Sequence, residues 1–410
     1  MTSQTVDFSP FAPDVIEDPY PFYEVLRRES PVHNVGGAGL WVLSRYDDNV
    51  FALRNPEVFS STIISDTFSG EYNPIPDHDG VMMLSSDPPE HTRLRRLMAS
   101  AFTPKSIAAL RSSIAEYVDE AIERVSPLSE FDFVQEIAQP LPVKTFFTLM
   151  GVPESLHAQC KAFTDVESEI ASTIASGEPL DSEWVARMKK SQQDYGTFLC
   201  DLIDQRRAEP GDDLVSALVA ASDAGDKLTE IEVRKMLQLL NAAGTESTQK
   251  FISNMLLTFL RHPEQYQMLR TNRELIPNAV QEALRYDGSG LHMPRLVLHD
   301  VELSGVTLPK GAVCLLSFGS ANHDESKFSD RPEHFDITRD TTGSLGHLAF
   351  GHGIHRCLGA NLATLEATVV LEKLLEHYSG FSWNPDAAVR DTKNFFIRGL
   401  RNLPISPVVA

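Results

Sequence analysis

The 410-residue chain contains only four cysteines, and they lie far apart. It therefore lacks the dense, paired cysteines of a disulfide-stabilised secreted domain and fits a reducing cytoplasm better. No stretch reaches the roughly 20 apolar residues that a membrane-spanning helix needs. The opening residues also lack the charged and apolar regions of a secretory signal. We expect a soluble, cytoplasmic protein with no membrane partner.

Basic residues are also few, because 36 Lys and Arg stand against 57 Asp and Glu, a formal net charge of −21. A nucleic-acid-binding protein normally has a basic excess, so we expect no nucleic-acid partner. One local stretch runs against this trend and is either a solvated helix face or a docking surface. It consists of Arg93, Arg95, Arg96, Lys105 and Arg111.

Internal repeats, low-complexity tracts and a clear linker are missing too, which predicts a single domain over residues 1–410. Helical patterns cover most of residues 105–285. The longest helix is predicted to begin at the capping box Thr229-x-x-Glu232 and to end near Arg261, because Pro263 blocks its continuation. A hairpin at 31–45 and strands at 295–299, 301–304 and 312–316 are the main β segments. The fold class is therefore mainly α with a small β region.

Residues 60–86 are rich in Ser, Asp, Pro and Gly, a composition typical of a functional or mobile loop. After this loop we expect Asp87 to cap a helix. On that helix His91 and Arg95 share one face, because they lie four residues apart.

The longest predicted helix contains a polar interruption, Gly244-Thr245-Glu246-Ser247-Thr248. Glycine in a helix interior costs about 1 kcal/mol relative to alanine, and the polar side chains break an apolar face. A close helix crossing explains the glycine but not the acid and the alcohol beside it. The segment is therefore a candidate functional site.

Cys357 is the most informative residue of the chain. It follows the glycine-rich run Phe350-Gly351-His352-Gly353 and precedes a long amphipathic stretch. A helix N-terminus and nearby cations are expected to lower the pKa of this thiol, and the glycines let a flat ligand approach the backbone. A haem iron held by such a thiolate gains electron density that favours cleavage of the O–O bond of dioxygen.

Other roles for this thiol remain open at this point. A lone cysteine is usually a small core residue, which we expect of the other three. His352, His355 and Cys357 are residue types that can bind zinc, so a zinc site is an alternative, although no second ligand cluster supports it. Spacing alone does not exclude a Cys–His hydrolase. A phosphate-binding loop is excluded because its GK[ST] ending is absent.

Three motifs follow one another along the chain: Glu246-Ser247, Glu282-x-x-Arg285, and a loop of the pattern Phe-Gly-x-Gly-x-His-x-Cys-x-Gly that ends at Gly359. In this order they resemble the cytochromes P-450, the haem-thiolate monooxygenases, over nearly the whole chain. The resemblance implies a single-domain P-450 fold that binds haem b between the long central helix and the cysteine loop with its helix.

The resemblance also implies roles for individual residues. Cys357 matches the axial ligand of the haem iron, and Glu282 with Arg285 matches a buried ion pair that supports the cysteine loop. The positions that match propionate-binding residues are His91, Arg95, Arg295 and His355. Further cofactor-binding positions are Phe350, Gly351, Gly359 and Ala243.

Glu246 and Ser247 resemble the acid–alcohol pair that delivers protons for dioxygen activation, and Thr248 is a further candidate for this role. Serine stands here where threonine is more common, so the hydroxyl is kept but the methyl group that restricts its rotamer is lost. Peroxide-driven members of the fold typically lack the pair, so its presence favours the dioxygen route.

The implied partners are dioxygen, a small hydrophobic substrate, and a separate ferredoxin with its reductase, since no flavin or iron–sulfur segment is recognisable. We expect a monomer. An acidic ferredoxin would be steered by a basic patch. The candidate residues of that patch are Arg96, Lys105, Arg111 and Arg356.

The expected reaction is hydroxylation or oxidative dealkylation, with small aromatic compounds among the candidate substrates. Epoxidation, C–C coupling, and a haem-binding sensor or carrier without turnover are the alternatives. His292 is the polar exception in an apolar predicted pocket and can hydrogen-bond a substrate. The predicted pocket residues are Phe68, Met82, Leu84, Leu239, Leu240, Ala243, Leu291, His292 and Phe395.

Overall fold

A computed structural model describes residues 6–37, 39–64, 82–99, 102–176, 181–223, 225–328, 331–340, 346–392 and 395–409. Helices dominate these residues. The α-helices are α1 (Pro13–Glu17), α2 (Tyr20–Glu29), α3 (Tyr46–Arg54), α4 (Glu90–Ala99), α5 (Pro104–Ala109), α6 (Arg111–Val125), α7 (Pro140–Leu149), α8 (His157–Ser176), α9 (Ser182–Ala208), α10 (Leu214–Ala220), α11 (Glu230–Arg261), α12 (Pro263–Thr271), α13 (Ile276–Asp287), α14 (Phe318–Ala321) and α15 (Ala360–His377).

The strands are short and dispersed along the chain. They are β1 (Val32–Val35), β2 (Leu40–Leu43), β3 (Phe59–Ser60), β4 (Phe131–Asp132), β5 (Ser222–Asp223), β6 (Asp226–Lys227), β7 (His292–Val297), β8 (Val301–Leu303), β9 (Val306–Leu308), β10 (Val313–Ser317), β11 (Tyr378–Trp383), β12 (Val389–Arg390), β13 (Leu400–Asn402) and β14 (Pro404–Val409). Single helical turns lie at Met83–Ser85, Val134–Ala138, Glu154–Leu156, Arg273–Leu275, Gly353–His355 and Pro385–Ala387.

The largest sheet has the strand order β1-β2-β10-β7-β3. Only β2 and β10 are parallel within it, and the other neighbours are antiparallel. The predicted β1–β2 hairpin is confirmed, and its turn needs glycine because Gly36, Gly37 and Gly39 all have positive φ angles. Three strands, in the order β11-β14-β4, form a second sheet.

Helix α11 runs through the centre of the helical core. Its predicted capping box is confirmed, because the side chains of Thr229 and Glu232 each bond the other residue's backbone amide. It packs against α7, α8, α9, α13 and α15. Because α11 has buried neighbours on several sides, its polar residues need partners within the protein. None of the described helices is long and apolar enough to span a membrane.

The predicted fold class, mainly α with a small β region, is confirmed. The predicted helix after Asp87 also forms, but its capping by Asp87 is wrong. The Asp87 carboxylate instead accepts hydrogen bonds from the Ser60 hydroxyl and from the Ser61 amide, the latter at 2.9 Å. It therefore ties the start of α4 to β3.

Strand β4 falls inside the stretch for which almost only helix was predicted. It contains two residues and pairs with Pro404 and Ile405 of β14, so its existence depends on a distant part of the chain. Near the C-terminal end of the described chain, an isolated bridge joins Ile397 to Gly290.

Candidate active site

The loop that precedes α15 holds Cys357 in a compact turn. Gly351 and Gly353 have φ angles of +64° and +69°, which side-chain-bearing residues rarely adopt. A Cβ atom at Gly353 would overlap the backbone carbonyl of Leu53 on α3. The Cys357 amide donates to the Phe350 carbonyl at 2.9 Å and closes the loop. Glycine is therefore needed both for the turn and for its packing against α3.

The Cys357 side chain is accessible although protein surrounds it, as expected of a thiol that lines an internal site. Burial raises the pKa of the thiol, whereas the amides of Gly359 and Ala360 and the guanidinium groups of Arg95 and Arg356 act in the opposite direction. The expected lowering of this pKa is therefore wrong, because burial outweighs the groups that favour the thiolate. A coordinated metal ion deprotonates a thiol outright, so the raised pKa of the free thiol does not prevent Cys357 from acting as a metal ligand.

Beside the cysteine loop, the structure brings the rings of His91 and His355 to 4.1 Å between centroids. His91 is only 2% exposed, and neither of its ring nitrogens has a hydrogen-bond partner in the described part of the chain. Nε2 of His355 lies 2.9 Å from the Ser61 hydroxyl. Burial, helped by the nearby arginines, lowers the pKa of His91 to about 4 and that of His355 to about 3.

Arg295 joins this cluster from β7. It is 3% exposed, and its guanidinium donates to the carbonyl of the adjacent Pro294 at 2.8 Å. Burial lowers its pKa to about 10, against the attraction of Asp87. No ion pair to Arg295 occurs within the described residues. Arg95 lies close enough to influence both His91 and Cys357 electrostatically.

These four residues form what we call the cationic cluster: His91, Arg95, Arg295 and His355. A buried cation without a paired anion is costly, and carboxylates are its usual partners. The two propionate groups of haem b supply carboxylates of this kind. The predicted propionate-binding residues are thus brought together. The unbonded ring nitrogens of His91, and the two arginines without an ion pair among the described residues, fit this cofactor.

On α11, Ala243 is exposed although it lies in the middle of a 32-residue helix whose flanking turns are buried. A Cβ atom added at Gly244 would have no atom within 4 Å. A close helix crossing at Gly244 is therefore ruled out as the reason for the glycine. The helix instead presents a smooth, small-residue surface that suits the flat face of a macrocycle.

The acid and alcohol follow directly on this surface. Glu246 is 21% exposed, and its carboxylate lies 2.7 Å from the ammonium group of Lys250. The Ser247 hydroxyl donates to the Ala243 carbonyl at 2.6 Å. Thr248 is buried. The pair therefore adjoins the exposed Ala243, and Lys250 is a partner of Glu246 that was not predicted from the sequence.

The predicted Glu282–Arg285 ion pair is fully buried and bidentate, with both N–O distances at 2.8 Å. Arg285 also donates to the carbonyl of Asn322 at 2.8 Å. The Asn322 side-chain oxygen accepts from the amide of Leu348, which precedes the cysteine loop, at 2.6 Å. Arg339 adds a second contact to Glu282 at 3.2 Å and was missed from the sequence. The ion pair is thus linked to the cysteine loop through backbone contacts.

The predicted pocket residues fall into groups. Leu239, Leu240 and Ala243 lie on α11, and Leu240 and Leu239 pack partly buried against the main core. Met82 and Leu84 are half-buried on either side of the buried Met83. Phe68 lies outside the described residues.

A second group lies around β7. His292 is buried, its Nε2 is 2.9 Å from the Tyr23 hydroxyl, and its Nδ1 has no partner in the described chain. Phe395 stacks against Phe396 and lies 6.3 Å from the His292 ring. Leu291 is buried beside these residues. His292 therefore belongs to an aromatic cluster with Tyr23, and its contact with a substrate stays a prediction.

The basic stretch of the sequence divides into three parts. Arg93 is bound by Glu90, Asp226 and Glu232. Arg95 is part of the cationic cluster. The four predicted docking cations are exposed, and one of them is paired with Glu372 at 2.5 Å. They are Arg96, Lys105, Arg111 and Arg356.

Among the described side chains, no three His, Cys, Asp or Glu residues gather as a metal-binding group.

Comparison with known proteins identifies the family. Residues 34–405 match the family model described as Cytochrome P450. Cytochrome P450 107B1 of Saccharopolyspora erythraea is 35% identical, with 99% of each chain covered. The cytochrome P450 monooxygenase PikC of Streptomyces venezuelae is 36% identical over 98% of this chain and 94% of its own.

Solved structures of cytochromes P450 are similar to this chain over nearly its whole length. CYP109E1 from Bacillus megaterium, in complex with corticosterone, has a TM-score of 0.85 at 31% identity and covers 97% of this chain and 100% of its own. CYP109Q5 from Chondromyces apiculatus has a TM-score of 0.86 at 32% identity, with 99% and 100% covered. The family and its fold bind haem b, and its members are monooxygenases. This chain therefore belongs to the cytochrome P450 family and is an oxidoreductase of the bacterial type.

Proposed function

We propose that this monooxygenase inserts one oxygen atom from dioxygen into a small hydrophobic substrate, by hydroxylation or oxidative dealkylation, with electrons from a separate ferredoxin system. The observation that carries the proposal is the position of Glu246 and Ser247 beside the exposed Ala243 on α11. A sensor or carrier without turnover has no use for an acid and an alcohol at this place.

Cys357 holds the haem iron in this proposal, and the cationic cluster binds the propionates. The bound haem supplies the redox chemistry that cleaves dioxygen. Gly351, Phe350 and Gly359 would shape the loop around Cys357, and the exposed Ala243 on α11 would contribute a second surface to the haem. Glu282 and Arg285 keep the cysteine loop in place and take no part in the chemistry.

Proton supply is the task of Glu246 and Ser247. The Ser247 hydroxyl is held by the Ala243 carbonyl, so its oxygen lone pairs can accept a hydrogen bond from a water at the dioxygen site. Glu246 is partly exposed and can exchange protons with solvent. In this proposal the carboxylate and the hydroxyl together carry protons from solvent to the reaction site. Thr248 is buried and is the weaker candidate for this role.

The substrate class rests on the apolar pocket residues of α11 and the Met83–Ser85 turn, together with Leu291 and Phe395. Apolar linings with few polar groups suit hydrophobic organic molecules. CYP109E1 has been solved with corticosterone and with testosterone. A steroid and a small aromatic ether are therefore the appropriate first probes.

We expect the haem-loaded protein, supplied with a surrogate ferredoxin and reductase, to oxygenate testosterone or to dealkylate ethoxycoumarin. With isotopically labelled dioxygen, the product should carry one labelled oxygen atom per turnover, measured by mass spectrometry. Label that enters from water instead, or electron consumption with no product from either probe, would contradict the proposed reaction and substrate class.

Replacement of Arg295 by Leu should weaken haem retention, because a buried donor to a propionate is lost. Hydrogen bonds to charged groups contribute about 1.5–3 kcal/mol, so haem transfer to apomyoglobin should be about ten- to a hundredfold faster. The exposed Arg28→Leu is the matched control and should leave the rate unchanged. An Arg295→Leu protein that keeps its haem as well as this control would remove Arg295 from the propionate site.

Replacement of Glu246 by Gln should slow product formation about ten- to a hundredfold while the haem content stays normal, because general acid–base groups contribute at least that much. The electrons should be diverted to hydrogen peroxide, which is measured beside the product. Glu274→Gln, at an exposed glutamate, serves as the control. Unchanged product per electron would show that another residue supplies the protons.

The proposed ferredoxin surface predicts that Lys105→Glu slows reduction of the haem by an acidic ferredoxin at low ionic strength, because electrostatic steering is lost. The effect should shrink as salt is added. Lys189→Glu on α9 makes the same charge change outside the predicted patch and should have little effect. Equal slowing by both variants would mean that net charge, and not this surface, governs the reaction.

A further inference from the structure

A polar stripe runs along one face of α11, because Glu246, Lys250 and Asn254 lie four residues apart. Lys250 and Asn254 both bind the hairpin formed by β12 and β13. The Asn254 side chain donates to the Arg398 carbonyl at 3.1 Å and accepts from Arg390 at 2.9 Å. The central helix and this hairpin are thus joined by side-chain bonds as well as by apolar packing.

Lys250 is the unusual member of the stripe. Its side chain is only 3% exposed, and its ammonium group lies 2.7 Å from Glu246 and 2.9 Å from Asp391. Burial works to lower its pKa, but the two carboxylates outweigh this effect and raise the pKa above its usual value. The ammonium therefore remains charged at neutral pH. Burying a lysine costs free energy, and core packing alone does not explain why a lysine is buried here.

The hairpin fits closely against this lysine. A Cβ atom at Gly399 would overlap the side chain and backbone of Lys250. The Asp391 amide donates to the Gly399 carbonyl at 3.0 Å, which fixes the carboxylate in front of the ammonium group. Arg401 of β13 faces Asp391 from the other side at 3.5 Å. The Lys250–Asp391 contact is therefore part of a fitted surface and not a chance surface ion pair.

The same hairpin leads to the predicted pocket. Phe395 and Phe396 lie between its two strands, and the Phe396 carbonyl accepts from the Leu291 amide at 2.9 Å. Leu291 and Phe395 are both predicted pocket residues. One end of the hairpin thus lies at the substrate side, while Asp391 holds the partner of Glu246.

We propose that Lys250 is a positioning residue for proton delivery, which orients the Glu246 carboxylate and ties it through Asp391 to the hairpin that carries Phe395. The position of the hairpin then sets the position of the relay carboxylate. The proposal rests on the proposed relay role of Glu246. Lys250 itself transfers no proton.

The test compares Lys250→Met, Lys250→Arg, Glu246→Gln and the double variant as haem-loaded proteins, with testosterone or ethoxycoumarin, whichever is turned over. Lys250→Met should lower product per electron about three- to tenfold, a part of the full contribution of a general acid–base group. Lys250→Arg should restore most of it. The exposed pair Lys190–Asp194 has the same i,i+4 spacing, so Lys190→Met is the matched control.

The double variant separates positioning from general destabilisation. If Lys250 acts through Glu246, adding Lys250→Met to Glu246→Gln should change product per electron no further, because residues that act together are not additive. A second full loss in the double variant would overturn the proposal. If Glu246→Gln alone leaves product per electron unchanged, the relay role of Glu246 itself fails. If Glu246→Gln lowers product per electron but Lys250→Met does not, only the positioning role of Lys250 is overturned.

Hydrogen–deuterium exchange of the resting protein gives a readout that is independent of turnover. Lys250→Met should speed exchange in β12 and β13, whereas Glu246→Gln and Lys190→Met should not. Unchanged exchange would overturn the tie between the helix and the hairpin. Asp391→Asn tests the same tie with the lysine kept, and it should reproduce the faster exchange even if Lys250→Met does not fold.

Discussion

One buried ion pair is connected by hydrogen bonds to the loop that carries Cys357. Glu282 and Arg285 are both inaccessible to solvent and are joined by two bonds of 2.8 Å. The remaining Arg285 donors bind backbone carbonyls, and through Asn322 the network reaches the amide that precedes the cysteine loop. Loss of either partner would leave a buried charge unpaired, at a cost of about 3–5 kcal/mol. We expect such a loss to disturb the cysteine loop as well, because the two are joined through Asn322.

Around this loop, the fold gathers two arginines that have no ion pair among the described residues and two histidines whose lowered pKa values keep them neutral at neutral pH. The cationic cluster draws on α4, β7 and the turn before Cys357, and two of its members are almost completely buried. Such a cluster is unfavourable by itself and becomes favourable when a dianionic ligand binds. If haem binds here as proposed, its binding and the folding of the protein should be coupled in this way. The cost of burying these cations also explains why the pKa values of both histidines and of Arg295 lie below their usual values.

Much of this architecture could be predicted from local sequence. The capping box at Thr229 and the glycines of the β1–β2 turn act on neighbouring residues, so their effect can be read directly from the chain. The cysteine loop is a motif of the same kind. The fold class and the family follow from such local signals in their order.

The remaining features depend on distant contacts or on burial, which local patterns do not record. The pKa of Cys357 is raised because burial exceeds the effect of its neighbours, and no spacing rule gives that balance. Asp87 binds Ser60 and Ser61 instead of capping its own helix. The pairing of Lys250 with Asp391 joins residues far apart in the chain, so it emerged only from the structure.

The role of Cys357 can be tested with the absorption spectrum of the purified protein after reduction under carbon monoxide. If Cys357 binds the iron of a haem whose propionates meet the cationic cluster, the Soret band should lie at the long-wavelength position that is typical of thiolate ligation. A band at the position typical of imidazole ligation, or no haem band after expression with added haem, would contradict this role.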